Sequence, residues 1–379
     1  MTTAEPPQHQ GIEVEPIAFS EIDGWRADRH FEAFVAFAAW AAHVGTPASA
    51  APCIERSPQV RLAVARAALA AAGGIETDDR ARAFFESHFV PAVIRATPPE
   101  GLLTGYYEPE LAASRTRSSA YPHPIYSRPA DLVNLVTEAE RGARADRPTH
   151  ARRCPDGGLE PFPTRAAIDD GALDGQGLEL FYAADPVALY LMHVQGSGLL
   201  RLPDGSGVRV TYAGKNGHPY TSVGRLLVEE GAVAAADMTL DHLVAWLRAD
   251  PARASALLRR NASYIFFAEL GPEHGTRALG VDGMPLFAGR SLAVDTGFHA
   301  LGTPIWISAP GLSDNAHDGA TSGFRRLMIA HDVGSAIRGP QRGDVYYGAG
   351  VEAGRRAGMT KHACRFIVLL PRGSGEDRH

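Results

Sequence analysis

Three aspartates in the C-terminal part of the chain have the setting that acid–base chemistry requires. Asp295 ends the strand-like SLAVD, Asp332 follows the apolar RLMIAH, and Asp344 opens DVYYG. Each stands at a strand edge beside apolar sequence, where loss of water raises a carboxyl pKa and disfavours its charged form. A second carboxylate close by would raise one of them further. A carboxylic acid that stays neutral near neutral pH can protonate the leaving oxygen of a glycosidic bond. The competing role is structural. Aspartates at strand ends accept backbone N–H groups in turns, which lowers their pKa, and spacing alone favours that role.

Aromatic and amide residues in glycine-flanked stretches could serve such chemistry: Tyr106, Tyr107, Gln195, Tyr220, Asn261, Tyr264 and Phe266. Aromatic faces stack on sugar rings, and side-chain amides bond hydroxyl and N-acetyl groups. Taken singly, each serves equally well in a core or hairpin. Other motifs fail. Gly348, Gly350 and Gly354 resemble a dinucleotide fingerprint, but the last spacing is one residue too long and no acidic residue follows at the right distance. The segment reads instead as a turn opening a helix. Gly196-Ser197-Gly198 lacks the spacing of a nucleophile elbow, and His362 with Cys364 is a bare H-x-C without a partner motif. No metal or organic cofactor is expected.

The elements that must position these residues change character along the chain. The first hundred residues read as helical: Phe31, Phe34, Val35 and Ala38 repeat at helical spacing behind Asp28 as N-cap. Ser57 and Pro58 open a second helix that Gly73-Gly74 stops. A third spans about Arg80 to Phe89. After Gly101, GLLTGYYEPEL reads as strand, and residues 112–175, rich in Pro, Arg, Ser and Asp, as loop-heavy. Strands are expected at 181–183 and 188–195, then LLRL and VRVTY flanking the hairpin turn 203–207. Helices follow at 222–230 and 240–249. From Asn261 the short strands SYIFFA, SLAVD, TPIWIS, RLMIAH, DVYYG and CRFIVLLP, separated by glycine-rich connections, favour a small barrel over a doubly wound sheet.

Composition narrows the function classes. The chain has 379 residues, 45% of them hydrophobic and 21% charged, which suits two globular domains. A net charge of -6 gives no electrostatic case for nucleic acid. Cys53, Cys154 and Cys364 are too scattered for a zinc site and allow one disulfide at most. No apolar run is long enough to span a membrane. The opening MTTAEPPQHQ lacks a charged region followed by an apolar stretch, so no signal peptide is visible.

Taken together, an ordered series of segments resembles the MltA family of lytic murein transglycosylases from about Ile17 onward. It comprises GLLTGYYEPEL (101–111), YPHPIYSRP (121–129), LYLMHVQGSGLLRL (189–202), YAGKNGHPYTSVGR (212–225), NASYIFF (261–267), AGRSLAVDTGFHALGTPIWI (288–307) and the stretch 326–358. The C-terminal part also resembles the domains named for three aspartates, matching Asp295, Asp332 and Asp344. The resemblance implies a mainly β fold with an N-terminal helical part. A double-psi β-barrel catalytic domain would be built from 1–110 and 255–379, with a mostly β domain, 111–254, inserted and a glycan groove between the two.

The family's reaction cleaves the β-1,4 bond between N-acetylmuramic acid and N-acetylglucosamine, and the muramic C6 hydroxyl closes onto C1 as a 1,6-anhydro ring. The nucleophile belongs to the substrate, so one carboxyl can act first as acid and then as base. By position in the motif that residue is Asp344, with Asp332 tuning it or holding the barrel turn. Thr104, Gly105, Tyr107, Gln195, Ser197, Lys215 and Asn261 match stretches expected to line the groove. The implied partner is the peptidoglycan glycan strand, bound by a monomer with peripheral association to the cell-wall machinery. The implied location is the periplasm or the outer membrane. The alternatives are a non-catalytic peptidoglycan-binding scaffold and an ordinary β-1,4-glycan hydrolase, with a cytoplasmic nucleotide enzyme a distant third.

Overall fold

The computed structural model describes residues 12–43, 58–96, 100–135, 149–271, 277–313, 323–334 and 336–373. Two compact units divide the chain: Met1–Gly105, Leu279–Gly348 and Thr360–His379 form one, Tyr106–Ala278 and Ala349–Met359 the other.

The first unit begins with helices α1 (His30–His43), α2 (Pro58–Ala71) and α3 (Asp78–His88). Its strands are β1 (Glu13–Pro16), β2 (Phe89–Arg95), β3 (Gly101–Glu108), β13 (Ser291–Val294), β14 (Pro304–Ser313), β15 (Gly323–Val333), β16 (Arg342–Ala349) and β17 (Lys361–Pro371), although the last residues of β3, from Tyr106, and Ala349 at the end of β16 belong to the other unit. They pair in the order β1-β2-β17-β14-β15-β13-β16-β3, and β3 also pairs with β17. The six strands β17, β14, β15, β13, β16 and β3 therefore close on themselves, leaving no free edge among them. The parallel pair β13–β15 is the crossing of the double-psi barrel. Both strands are buried on both faces, which is why SLAV and RLMIA read as unbroken apolar runs. Helices cover the outside. Phe34, Phe37, Trp40, Phe84 and Phe85 pack with Trp306, Leu327, Ile329 and Leu369 in one cluster, and burying each such side chain is worth roughly 1.5–3 kcal/mol.

Asp28 does not cap α1. The helix starts at His30, and the N–H of Phe31 donates to Asp78 at the head of α3 (2.8 Å). Asp28 is instead buried against Arg290, which holds both its oxygens at 2.9 and 3.0 Å, and Asp28 also accepts the N–H of Leu327. Pro58 opens α2 as expected, while Ser57 lies outside the described residues. Thr77 caps α3, accepting the N–H of Arg80.

The second unit holds β4 (Glu110–Ser114), β5 (His123–Tyr126), β6 (Leu132–Asn134), β7 (His150–Arg153), β8 (Leu159–Pro161), β9 (Glu179–Ala183), β10 (Ser197–Arg201), β11 (Gly207–Lys215) and β12 (Ile265–Glu269). Its helices are α4 (Arg165–Asp169), α5 (Pro186–Gln195), α6 (Val223–Glu229), α7 (Leu240–Ala249), α8 (Pro251–Leu258) and α9 (Gly350–Met359). One sheet runs β12-β11-β10-β4-β9-β5 and a bridge between Ser127 and Phe267 joins its two edges; β6, β7 and β8 form a second, small sheet. The 112–175 stretch, expected to be loop-heavy, thus carries strands and a helix, although 136–148 lie outside the described residues. This unit runs on past 254 to Ala278, because β12 pairs with β11.

The strand expected at 188–195 is helix α5. Asp185 accepts the N–H of Val187 (2.8 Å), Pro186 sets the first turn, and Gly196 ends the helix at φ 80°. Leu189 and Met192 enter the core of the sheet, while Val187 and Tyr190 enter the core of the helices α6–α8. A helix buried on two sides loses the one-faced periodicity that would mark it in sequence.

Candidate active site

Asp344 lies in β16, opposite Ala293 of β13. Its side chain is partly buried, and Oδ1 accepts a 2.6 Å hydrogen bond from the Thr104 hydroxyl on β3. Burial raises its pKa, while the Thr104 bond and the charge of Arg342 pull it down, and burial prevails. Arg342 is two residues back on the same strand and so on the same face. Its guanidinium donates to the carbonyls of Leu102 (3.4 Å) and Gly343 (2.5 Å), and desolvation lowers its own pKa. Gly101 explains how β3 comes so near: a Cβ there would stand 2.2 Å from the Gln341 carbonyl oxygen. That carbonyl accepts the N–H of Leu102 instead.

Asp332 and Asp344 flank the same residue, Ala293, from opposite sides of β13. Two strand spacings separate them, about 10 Å between Cα atoms. Asp332 Oδ1 accepts the N–H groups of Val281 (3.0 Å) and Val333 (2.9 Å), which ties the 280–281 turn to the barrel. Asp295 is spent in the same way, on Gly297 (3.1 Å) and on Gly339 in the loop leading to β16 (2.8 Å).

The other candidates, apart from Gly105, which follows Thr104 in β3, belong to the second unit. Gln195, at the end of α5, accepts the N–H of Tyr107 (3.2 Å). Tyr107 is 7% exposed, and burial pushes its phenol up to about 12. Gly354 of α9 leaves room for its ring, since a Cβ would come within 2.9 Å of Cε2. Ser197 opens β10 opposite Thr211, and Lys215 ends β11 opposite Ile265. Asn261 is only 2% exposed. Its Oδ1 accepts the N–H groups of Thr221 and Ser263, and its Nδ2 reaches the Tyr190 hydroxyl, so its amide braces the local turn.

Two features escaped sequence reasoning. Arg342 could have been suspected from strand parity with Asp344. Glu108, in the GYYEPEL segment, is 1% exposed, and both its oxygens accept from Arg209 Nε at 3.0–3.1 Å. Burial raises its pKa and Arg209 opposes the rise; nothing local in sequence pairs residues so far apart. Cys154 and Cys364 are free thiols, and Cys53 lies outside the described residues. Among the described residues no cluster of His, Cys, Asp or Glu is placed to hold a metal, and no helix is long and apolar enough to cross a membrane.

Residues 102–268 match the MltA specific insert domain and residues 290–370 match the 3D domain. A crystal structure of a membrane-bound lytic murein transglycosylase from Agrobacterium tumefaciens is similar with 36% identity and a TM-score of 0.82, over 95% of this chain and 98% of that one. An Escherichia coli MltA structure with bound chitohexaose is 29% identical, with a TM-score of 0.65 over 89% and 90% of the two chains. Membrane-bound lytic murein transglycosylase A of Vibrio cholerae is 36% identical over 272 residues, 71% of this chain, and the match spans only 65% of that relative's length. Sequence, fold and both domain matches agree: the chain belongs to the MltA family of membrane-bound lytic murein transglycosylases.

Proposed function

We propose that this protein is a lytic transglycosylase of the cell envelope. It cleaves the β-1,4 bond between N-acetylmuramic acid and N-acetylglucosamine in peptidoglycan and leaves 1,6-anhydromuramic ends. The observation that carries the reading is the Asp344 carboxyl, whose pKa burial raises while a bonded hydroxyl steadies its anion. Membership of the family supports it, as does the relative solved with chitohexaose.

The chemistry follows from that environment. Neutral Asp344 gives its proton to the glycosidic oxygen as the bond to C1 breaks. The resulting carboxylate is stabilised by the Thr104 O–H and by the Arg342 charge, the two influences that lower its pKa. It then takes the proton of the muramic C6 hydroxyl as that oxygen closes onto C1. The attacking group is already tethered to the reacting carbon, so no second carboxylate is needed to activate water, unlike the pair an ordinary glycosidase uses. Asp332, with its Oδ1 committed to two backbone N–H groups, serves in this reading to hold the barrel turn.

The test is release of soluble fragments from purified peptidoglycan by the protein and two variants. Asp344→Asn should abolish release, whereas Asp332→Asn should retain part of it. A dead Asp332→Asn beside an active Asp344→Asn would reverse the assignment.

A further inference from the structure

Strand β17 has two partners in turn along the edge that faces away from β14. Residues 361–364 pair with β3, ending at Cys364 opposite Gly101, and residues 367–371 pair with β2, beginning at Ile367 opposite Val93. Arg365 and Phe366 fall in the gap between them, with strand partners only in β14. A buried main-chain N–H that faces such a gap needs an acceptor from elsewhere. The N–H of Phe366 finds it in the side chain of Gln341, whose Oε1 accepts at 3.2 Å.

Gln341 is buried just ahead of β16, on the same stretch of chain as Asp344. Its main-chain carbonyl accepts the N–H of Leu102 at 3.0 Å, and the next residue, Arg342, donates to the carbonyl of Leu102. Both main-chain groups of Leu102 are thus gripped, and Leu102 stands two residues before Thr104 on β3. The Cys364 thiol lies 4.0 Å from the same Gln341 carbonyl, and a Cβ on Gly101 would stand 2.6 Å from the Gln341 Cβ. The ends of β3 and β16 and the middle of β17 therefore meet around one side chain. Without its oxygen a buried N–H would go unmet, and the end of β3 would loosen against β16.

We propose that Gln341 is a positioning residue: its amide oxygen stands in for the strand missing between β3 and β2, and so holds the Thr104 hydroxyl on the Asp344 carboxyl. No step of the reaction is assigned to it. Its effect on rate rests on the proposed role of Asp344, whereas its effect on the Asp344 proton does not. The charged groups around Asp344 are Arg342 on its own strand, Lys361 of β17 opposite Thr104, and Asp332 beyond Ala293. Substitution of Gln341 alters none of these charges.

The test is the pKa of Asp344 in the full chain, read by carbon NMR with aspartate labelled at its carboxyl and assigned with Asp344→Asn. Gln341→Met keeps the length of the side chain and gives up the strong acceptor. It should raise the Asp344 pKa by about half a unit or more, because the anion loses part of its hydrogen bond. The alkaline limb of the pH–rate profile on peptidoglycan should move by the same amount, with KM changed by no more than about 2-fold. In Thr104→Val, which has no hydroxyl to hold, Gln341→Met should add no further rise, since two changes that act through one bond do not add. Gln341→Asn, one methylene shorter, draws the oxygen back from Phe366 and serves the same comparison if Gln341→Met does not fold. The proposal is overturned if the folded variant leaves the Asp344 pKa unchanged, or if the rise is the same with and without the Thr104 hydroxyl. An unaltered protein that releases no glycan fragments would instead end the glycan reading and leave the pKa comparison standing.

Discussion

The proposed reaction requires Asp344 to hold a proton and release it within the same turnover, and its surroundings pull in both directions. Replacing it with Asn keeps the shape and removes the proton, so the rate should fall by about 10²–10⁴ or more, with the fold intact by circular dichroism. Its pKa also sets a sign for stability. A carboxyl whose value in the folded state lies above the unfolded one binds its proton more tightly when folded. Its contribution is complete below the ordinary value of 3.8 and is lost as pH rises through the raised value. Asp344→Asn escapes that loss. Its melting temperature relative to the unaltered protein should therefore climb between those two values and then level off; a difference that stays flat with pH would contradict the assignment. Thr104→Val removes the hydroxyl that stabilises the anion, so Asp344 should titrate higher. A hydrogen bond to a charged group is worth about 1.5–3 kcal/mol, which moves the alkaline limb of the pH–rate profile up by roughly one to two units. A limb that did not move would mean the Thr104 bond does not reach the proton-transfer step.

At the scale of elements, the site depends on how closely β3 can approach β16. Gly101→Ala must push Gln341 away, so activity should drop together with stability, and a variant with full activity would show that β3 does not set the Thr104 position. The α1 to barrel joint has its own test. Removing one partner of a buried ion pair costs about 3–5 kcal/mol; Glu32 still pairs with Arg290 at 3.2 Å, so Asp28→Asn should lower the unfolding free energy by no more than that, read by chemical denaturation. Much of this level was legible in sequence. The apolar runs of β13, β14, β15 and β17 read as strands, and Gly73-Gly74 as the end of α2; the Thr77 cap of α3 did not stand out. Helix α5 was not legible, because Leu189 and Val187 enter different cores. Asp28 was mistaken for a cap because its partner Arg290 is 262 residues away, and the Thr104–Asp344 bond spans 240 residues. Local spacing contains no trace of such pairs. The resemblance placed Asn261 along a groove; in the structure its Oδ1 accepts two backbone N–H groups, which no local pattern announces.

For the whole molecule, the series of segments running from 101 to 358 identified the family where no single motif could, since its order encodes a barrel interrupted by an insert. In the proposed reaction Asp344 is the sole proton carrier and the substrate its own nucleophile. Chelation with EDTA should accordingly leave fragment release unchanged; loss of activity restored by one particular cation would show that a step runs through a metal. The most direct test is mass spectrometry of the glycan fragments that the purified protein releases from peptidoglycan. Transglycosylation predicts 1,6-anhydromuramic ends, about 18 Da lighter than hydrolysed ends because the internal hydroxyl replaces water, and their absence with Asp344→Asn. Reducing ends from the unaltered protein, or anhydro ends undiminished in Asp344→Asn, would contradict it.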